Sequence, residues 1–243
     1  MEENKKYILS TRDLDESLVS KATESDIVIQ TISFIQTEPI INDQLKKQIQ
    51  EVSSLSLNVV FTSMNAAEAV GNYLNGKKPE WKIFCLGTAT KKVVQLHFGD
   101  GLLAATAVNA SALADEIISN GVKSVVFFCG DQRRNELPEK LAGHNIQLHE
   151  IVVYKTFLIP RTIDRQYDSI LFFSPSAVKS FFLSNAVSAN TILFAIGATT
   201  ADSIRQFSNN TVIESDLPGK ENLVEKAISY LCKSNKPNEH IKK

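Results

Sequence analysis

The sequence is short of the features that usually announce a function. It has three cysteines, Cys85, Cys129 and Cys232, an odd number at wide spacing. Neither a disulfide framework nor a zinc motif can be built on them, and the pattern suits reduced thiols in a cytoplasmic protein. Cys85 and Cys129 lie in apolar runs, where buried, inert strand thiols are expected. Charge of one sign is also missing: 26 Lys and Arg against 27 Asp and Glu leave a net charge of −1. No basic field is available to attract nucleic acid or an anionic membrane surface, so an anionic ligand would have to be held by local groups. The four histidines, His97, His144, His149 and His240, are expected on helices, a turn or the tail, in structural or surface roles. There is no Gly-x-Gly-x-x-Gly, no Walker lysine, and no Gly-x-Ser-x-Gly around Ser63 or Ser174. Dinucleotide, P-loop and triad-hydrolase readings therefore lack their signatures. No apolar run reaches membrane length, and Tyr7-Ile8-Leu9 is too short for a signal-peptide core. Neither a metal nor a cofactor is expected, and a monomer is.

The chain does have ample apolar residue for real cores, 43% of 243 residues. Short runs rich in β-branched and aromatic residues recur at Lys6–Ser10, Ile27–Ile35, Leu57–Phe61, Lys82–Leu86, Leu102–Thr106, Ser124–Phe128, Leu148–Tyr154, Ser169–Phe173, Thr191–Ile196 and Thr211–Glu214. They do not alternate strictly, which is how strands buried on both faces of a parallel sheet read. Between them lie helical patterns such as Ala66/Ala69/Val70/Leu74 and Leu223/Ala227/Ile228/Leu231. The class is α/β with parallel sheets.

Ten strands divide more naturally into two sheets of about five than into one. An internal repeat supports the division. Val59-Val60-Phe61-Thr62-Ser63-Met64-Asn65-Ala66 parallels Ile170-Leu171-Phe172-Phe173-Ser174-Pro175-Ser176-Ala177, and Leu86-Gly87-Thr88-Ala89-Thr90 parallels Ile196-Gly197-Ala198-Thr199-Thr200, at offsets of 174 − 63 = 111 and 197 − 87 = 110. The later copy has only two strands behind it, so its domain must borrow strands from the beginning of the chain. The tail from Ser234 to Lys243 is polar and expected to be disordered.

Six strand-to-helix junctions carry small polar residues: Ser10-Thr11-Arg12-Asp13, Thr62-Ser63-Met64-Asn65, Gly87-Thr88-Ala89-Thr90, Cys129-Gly130-Asp131, Ser174-Pro175-Ser176 and Gly197-Ala198-Thr199-Thr200. In a parallel sheet all fall at the carboxyl ends of strands, where ligands bind. Free backbone N–H groups and hydroxyls at helix starts make uncharged seats for anions. Plain helix capping is the better explanation of any one of them taken alone, and the set together shifts the balance toward binding. If both domains face each other, the set would line one cleft suited to a large molecule with several carboxylates. Arg12, Arg133 and Arg134 are candidate carboxylate clamps or, alternatively, solvated surface charge. Tyr154, at the end of Ile151-Val152-Val153, is the candidate acid, since a phenol with a pKa of about 10 is protonated at neutral pH, and its alternative is the structural role that a strand-end tyrosine more often has. Holding a substrate in shape with one weak acid fits this set better than nucleophilic catalysis.

In order and spacing, Ile8-Leu9-Ser10-Thr11-Arg12, Phe61-Thr62-Ser63-Met64-Asn65-Ala66, Leu86-Gly87-Thr88-Ala89-Thr90, Cys129-Gly130-Asp131-Gln132-Arg133-Arg134, Val152-Val153-Tyr154-Lys155-Thr156, Phe172-Phe173-Ser174-Pro175-Ser176-Ala177 and Ile196-Gly197-Ala198-Thr199-Thr200-Ala201 resemble the motifs of the uroporphyrinogen-III synthase family. The resemblance runs from about residue 7 to residue 231. It implies two Rossmann- or flavodoxin-like domains joined by a two-stranded linker, residues 1–37 with 158–243 and residues 38–157. It also implies a cofactor-free lyase that closes hydroxymethylbilane, a linear tetrapyrrole with eight acetate and propionate groups, with inversion of ring D and loss of water. By resemblance Tyr154 is the donor to the leaving hydroxyl. Ser63, Thr90, Ser174, Ser176, Thr199 and Thr200 match positions that line the cleft, and Thr11, Arg12, Thr88, Gly130, Arg133 and Gly197 complete the expected binding set. Met64 and Ala198 stand where the family commonly has proline, which bears on turn geometry more than on chemistry. The rival expectations are a two-domain module that binds a polyanionic small molecule without turnover and, on fold class alone, a dinucleotide enzyme.

Overall fold

The computed structural model describes residues 5–217 and 219–234. The tail expected to be disordered lies outside them from residue 235 on, as does His240. The described chain forms two compact units, one containing the residues up to Gln36 together with those from Leu158 on, the other Thr37–Phe157.

The first unit is a five-stranded sheet built from β1 (Lys6–Ser10), β2 (Ile27–Thr31), β9 (Ser169–Phe172), β10 (Ile192–Ala195) and β11 (Val212–Glu214), in the order β11-β10-β9-β1-β2 with every pair parallel. On one face α1 (Glu16–Thr23) and α9 (Lys220–Ser234) bury Leu18, Ala22, Leu223 and Ala227 against Ile8, Leu171 and Phe194. On the other face α7 (Pro175–Phe182) and α8 (Ala198–Arg205) bury Val178, Phe181, Ala201 and Ile204 against Leu9, Ile170, Phe172 and Leu193. Both faces are covered, which is why these strands read as continuous apolar runs.

The second unit holds β3 (Ile35–Pro39), β4 (Leu57–Phe61), β5 (Trp81–Leu86), β6 (Leu103–Ala107), β7 (Ser124–Gly130) and β8 (Gln147–Leu158), in the order β3-β8-β7-β4-β5-β6. The helices α2 (Asp43–Ser53), α3 (Met64–Leu74) and α4 (Gly87–Phe98) cover one face, where Ile49, Ala66, Val70, Val94 and Phe98 meet Val59, Phe61, Phe128 and Val153. The rings of Phe61, Phe98 and Phe128 stack at centroid distances of 5.5 and 5.6 Å, a favourable offset spacing. The helices α5 (Ala110–Ser119) and α6 (Glu136–Gly143) cover the other face with Leu113, Ile117, Leu137 and Leu141.

Three expectations change. The run Ile27–Ile35 is two strands in two sheets, because β1 ends at Ser10 and leaves β2 no partner beyond Thr31, and the chain turns at Ser33, whose hydroxyl donates to the Ile35 carbonyl. The sheets therefore have five and six strands, eleven in all among the described residues. The sixth strand, β3, runs antiparallel to β8, as the Ile159 N–H to Phe34 carbonyl and Ile40 N–H to Val153 carbonyl bonds require. His149 lies within β8, not on a helix, turn or tail. The chain passes between units twice, inside the neighbouring strands β3 and β8.

The repeat becomes concrete in the strand orders. Reading β9-β10-β11 and then β1-β2 gives the same spatial arrangement as β4-β5-β6 and then β7-β8. Each sheet reverses direction of winding once, between β1 and β9 in one unit and between β4 and β7 in the other. Such switch points open a crevice at the carboxyl ends of the strands.

Candidate functional site

Each switch point carries one of the two repeated serines. Ser63 follows β4 and caps α3, its hydroxyl accepting the Asn65 N–H at 3.2 Å. Ser174 follows β9 and caps α7, accepting the Ala177 N–H at 3.1 Å with Pro175 in the first turn. Extended backbone at both residues lets the side chain turn back onto the helix it starts. Met64, standing where proline is common, does not prevent the same cap from forming.

In the second unit the serine has a second partner. The Tyr154 phenol donates to Ser63 Oγ at 3.2 Å. Regular alternation along β8 would not place it there. Ile151 and Val153 face the α3 side of the sheet, so Tyr154 should point the opposite way. The register slips by one residue: Cys129 lies opposite Val152, but Gly130 lies opposite Tyr154. This bulge re-aims the tyrosine to the α3 side. The ring then lies directly on Gly130, where a Cβ would stand 2.3 Å from Cζ of Tyr154 and 2.7 Å from its hydroxyl. Gly130 is thus buried beneath the tyrosine.

Burial raises the phenol above its usual pKa of 10, and the nearby Cys129 and Asp131 push in the same direction, while the Ser63 hydrogen bond opposes them. The group is a protonated donor throughout the neutral range. Cys129 and Cys85 are both pushed up to about 11, chiefly by burial, and stay thiols at neutral pH. Among the described residues no cluster of His, Cys, Asp and Glu could hold a metal, and no helix is long and apolar enough to cross a membrane.

The threonines separate by depth. Thr88 and Thr199 are exposed in the first turns of α4 and α8, whereas Thr90 and Thr200 are buried at 5% and 0% exposure. Thr200 Oγ1 has no hydrogen-bond partner. Thr11 is buried too, and its hydroxyl and N–H both go to the Leu171 carbonyl, at 2.8 and 3.0 Å, tying β1 to β9 across the switch point. Arg12 is exposed beside it, Ser176 is half-buried in the first turn of α7, and Gly197 is the extended N-cap of α8. Arg133 is committed to Glu150 on β8, with Nε and Nη2 each 2.6 Å from a carboxylate oxygen, and it also donates to Asn135. That fork occupies the groups a substrate carboxylate would need. Arg134 is exposed.

The model of the family described as uroporphyrinogen-III synthase HemD matches residues 16–225. The chain belongs to the uroporphyrinogen-III synthase family. Family members are cofactor-independent cyclising lyases that act on hydroxymethylbilane. Two solved structures share the fold. Uroporphyrinogen-III synthetase from Helicobacter pylori is 18% identical with a TM-score of 0.63, over 93% of this chain and 99% of that one. A mutant uroporphyrinogen III synthase from Thermus thermophilus is 12% identical with a TM-score of 0.62, over 95% and 100%. No match was found among curated proteins. Two contacts beside the site escaped the sequence reading: that of Glu150 with Arg133, and that of Asp131, a residue of the Cys129-Gly130-Asp131 junction, with the Thr156 N–H. Both depend on pairing between β7 and β8, which no local motif records.

Proposed function

We propose that this chain closes hydroxymethylbilane to uroporphyrinogen III with Tyr154 as the proton donor. The observation that carries the reading is the Tyr154–Ser63 pair at the switch point of the second unit, with the phenol held protonated by burial. As the C–O bond of the terminal hydroxymethyl group breaks, the departing oxygen takes the phenol proton and leaves as water. The resulting azafulvene cation is attacked by the substituted carbon of the last pyrrole. The spirocyclic product fragments and recloses with ring D inverted. Loss of a ring proton restores the final pyrrole and returns a proton to the phenolate, so one water is the only net loss.

Ser63 serves both states of the tyrosine. Its hydroxyl accepts from the phenol at rest and, by rotating its own hydrogen, donates to the phenolate formed when the proton leaves. General acid catalysis of this kind contributes roughly 10²-fold or less here, since a phenol is a weak acid at neutral pH. Exposed Thr88 and Thr199, with free N–H groups at the starts of α4 and α8, offer uncharged donors for acetate and propionate groups. The same reading takes the enzyme to act as a cytoplasmic monomer.

Purified protein given freshly made hydroxymethylbilane should yield the type III isomer. Spontaneous closure gives the uninverted type I isomer. Type I alone, with saturable binding of the bilane, would leave a binder and remove the enzyme.

A further inference from the structure

We infer that Asp131 is a positioning residue for Tyr154, clamping the bulge that aims the phenol at Ser63. This rests on the reading of Tyr154 as proton donor. A bulge leaves its strand with interrupted pairing and needs other bonds to fix its shape. Asp131, the first residue after β7, supplies two. Its N–H donates to the Tyr154 carbonyl at 3.1 Å, and its carboxylate Oδ1 accepts the Thr156 N–H at 2.9 Å. The backbone is therefore gripped at the tyrosine and two residues beyond it by a single side chain and its own amide.

The two grips differ in what they need. The amide bond survives any substitution except proline. The Thr156 bond needs an acceptor of carboxylate or carboxamide shape at position 131. Asp131 is exposed, so its carboxylate is spared the cost of burial and its loss leaves no cavity in the core. The residue next to it, Gly130, has no side chain to hold the ring in place and only provides the floor on which the ring rests. Placement of the phenol thus falls to the clamp, together with Ser63 at the far end.

Steady-state formation of the type III isomer should be measured for the native protein, Asp131→Ala, Asp131→Asn, Tyr154→Phe and Asp131→Ala/Tyr154→Phe. Asp131→Ala should lower kcat about 10- to 50-fold with KM within about twofold, since a misplacement of 1 Å is enough for losses up to about 100-fold. Asp131→Asn keeps the acceptor oxygen and should recover to within about threefold of native. In the Tyr154→Phe background the alanine change should cost less than about twofold, because the group it positions is gone. Full, additive loss in that background, or native kcat in Asp131→Ala while Tyr154→Phe is slow, overturns the inference and leaves the tyrosine's role standing. Ultraviolet titration of the Tyr154 phenol, taken as the difference between proteins with and without it, reads the clamp without turnover. In Asp131→Ala the phenol should ionise at lower pH than in Asp131→Asn, which loses the same charge but keeps the acceptor for Thr156. Identical titrations in the two Asp131 variants overturn the clamp, whereas native kcat in Tyr154→Phe removes the donor reading alone.

Discussion

Gly130→Ala tests the geometry most sharply. The added methyl group would lie 2.3 Å from Tyr154 Cζ, 2.5 Å from Cε2 and 2.7 Å from the hydroxyl oxygen. Ordinary contact between such atoms begins near 3.4 Å, so the ring must retreat by about 1 Å. That retreat breaks or reorients the 3.2 Å bond to Ser63. Because the ring is only part-buried and has solvent on one side, the strain on folding should stay within about 1–3 kcal/mol. The reaction should suffer more, by about 10- to 100-fold in kcat, because an acid displaced by 1 Å no longer meets the leaving oxygen. The assay is the initial rate of type III formation, with thermal melting measured alongside. Gly143→Ala is the control: no atom lies within 4 Å of its new methyl, and rate and fidelity should be unchanged. Gly130→Ala running at the native rate would refute the claim that the ring needs a bare glycine beneath it to reach Ser63.

Tyr154→Phe should slow turnover by about 10- to 100-fold without lowering the melting temperature by more than a few degrees; unchanged rate and isomer fidelity would make the residue structural. The pH profile should follow its protonated form: flat through neutrality, with kcat falling only above pH 10, because the folded pKa lies above the ordinary value. A limb well below pH 10 would point to another acid. Thr200→Val removes a buried hydroxyl with no hydrogen-bond partner, so stability should hold or rise. If that hydroxyl meets a substrate carboxylate, KM should increase about 5- to 30-fold, the equivalent of about 1–2 kcal/mol; an unaltered KM counts against the contact. Glu150→Gln should weaken the fork on Arg133 and, if the arginine is a latent clamp, lower KM; no change would confine it to its structural pair.

The fold was largely legible because its signals are local. Buried parallel strands such as Val125-Val126-Phe127-Phe128 cannot avoid being apolar on both faces. Capping serines must stand immediately before their helices, and Ser63 and Ser174 do. The split of Ile27–Ile35 was not legible, since apolar residues continue through the turn and only the end of β1 decides where pairing stops. Within the site, Tyr154 could be picked out as a strand-end phenol, but not the direction it faces. Ile151 and Val153 read as inward, which turns the next residue outward, and one slipped pair between β7 and β8 reverses that. Thr200 and Thr90 look like their exposed neighbours in sequence, and their depth comes from packing beneath the first helical turn.

The slipped pair has one more consequence. It makes the pairing from Val152 to Thr156 as decisive for where the phenol stands as the tyrosine itself. Pair the same residues without the slip and the segment is still a strand ending in tyrosine, with identical chemistry on offer. The aromatic hydroxyl would then emerge on the opposite side of the sheet from its serine, and the chain would keep its architecture while losing that contact.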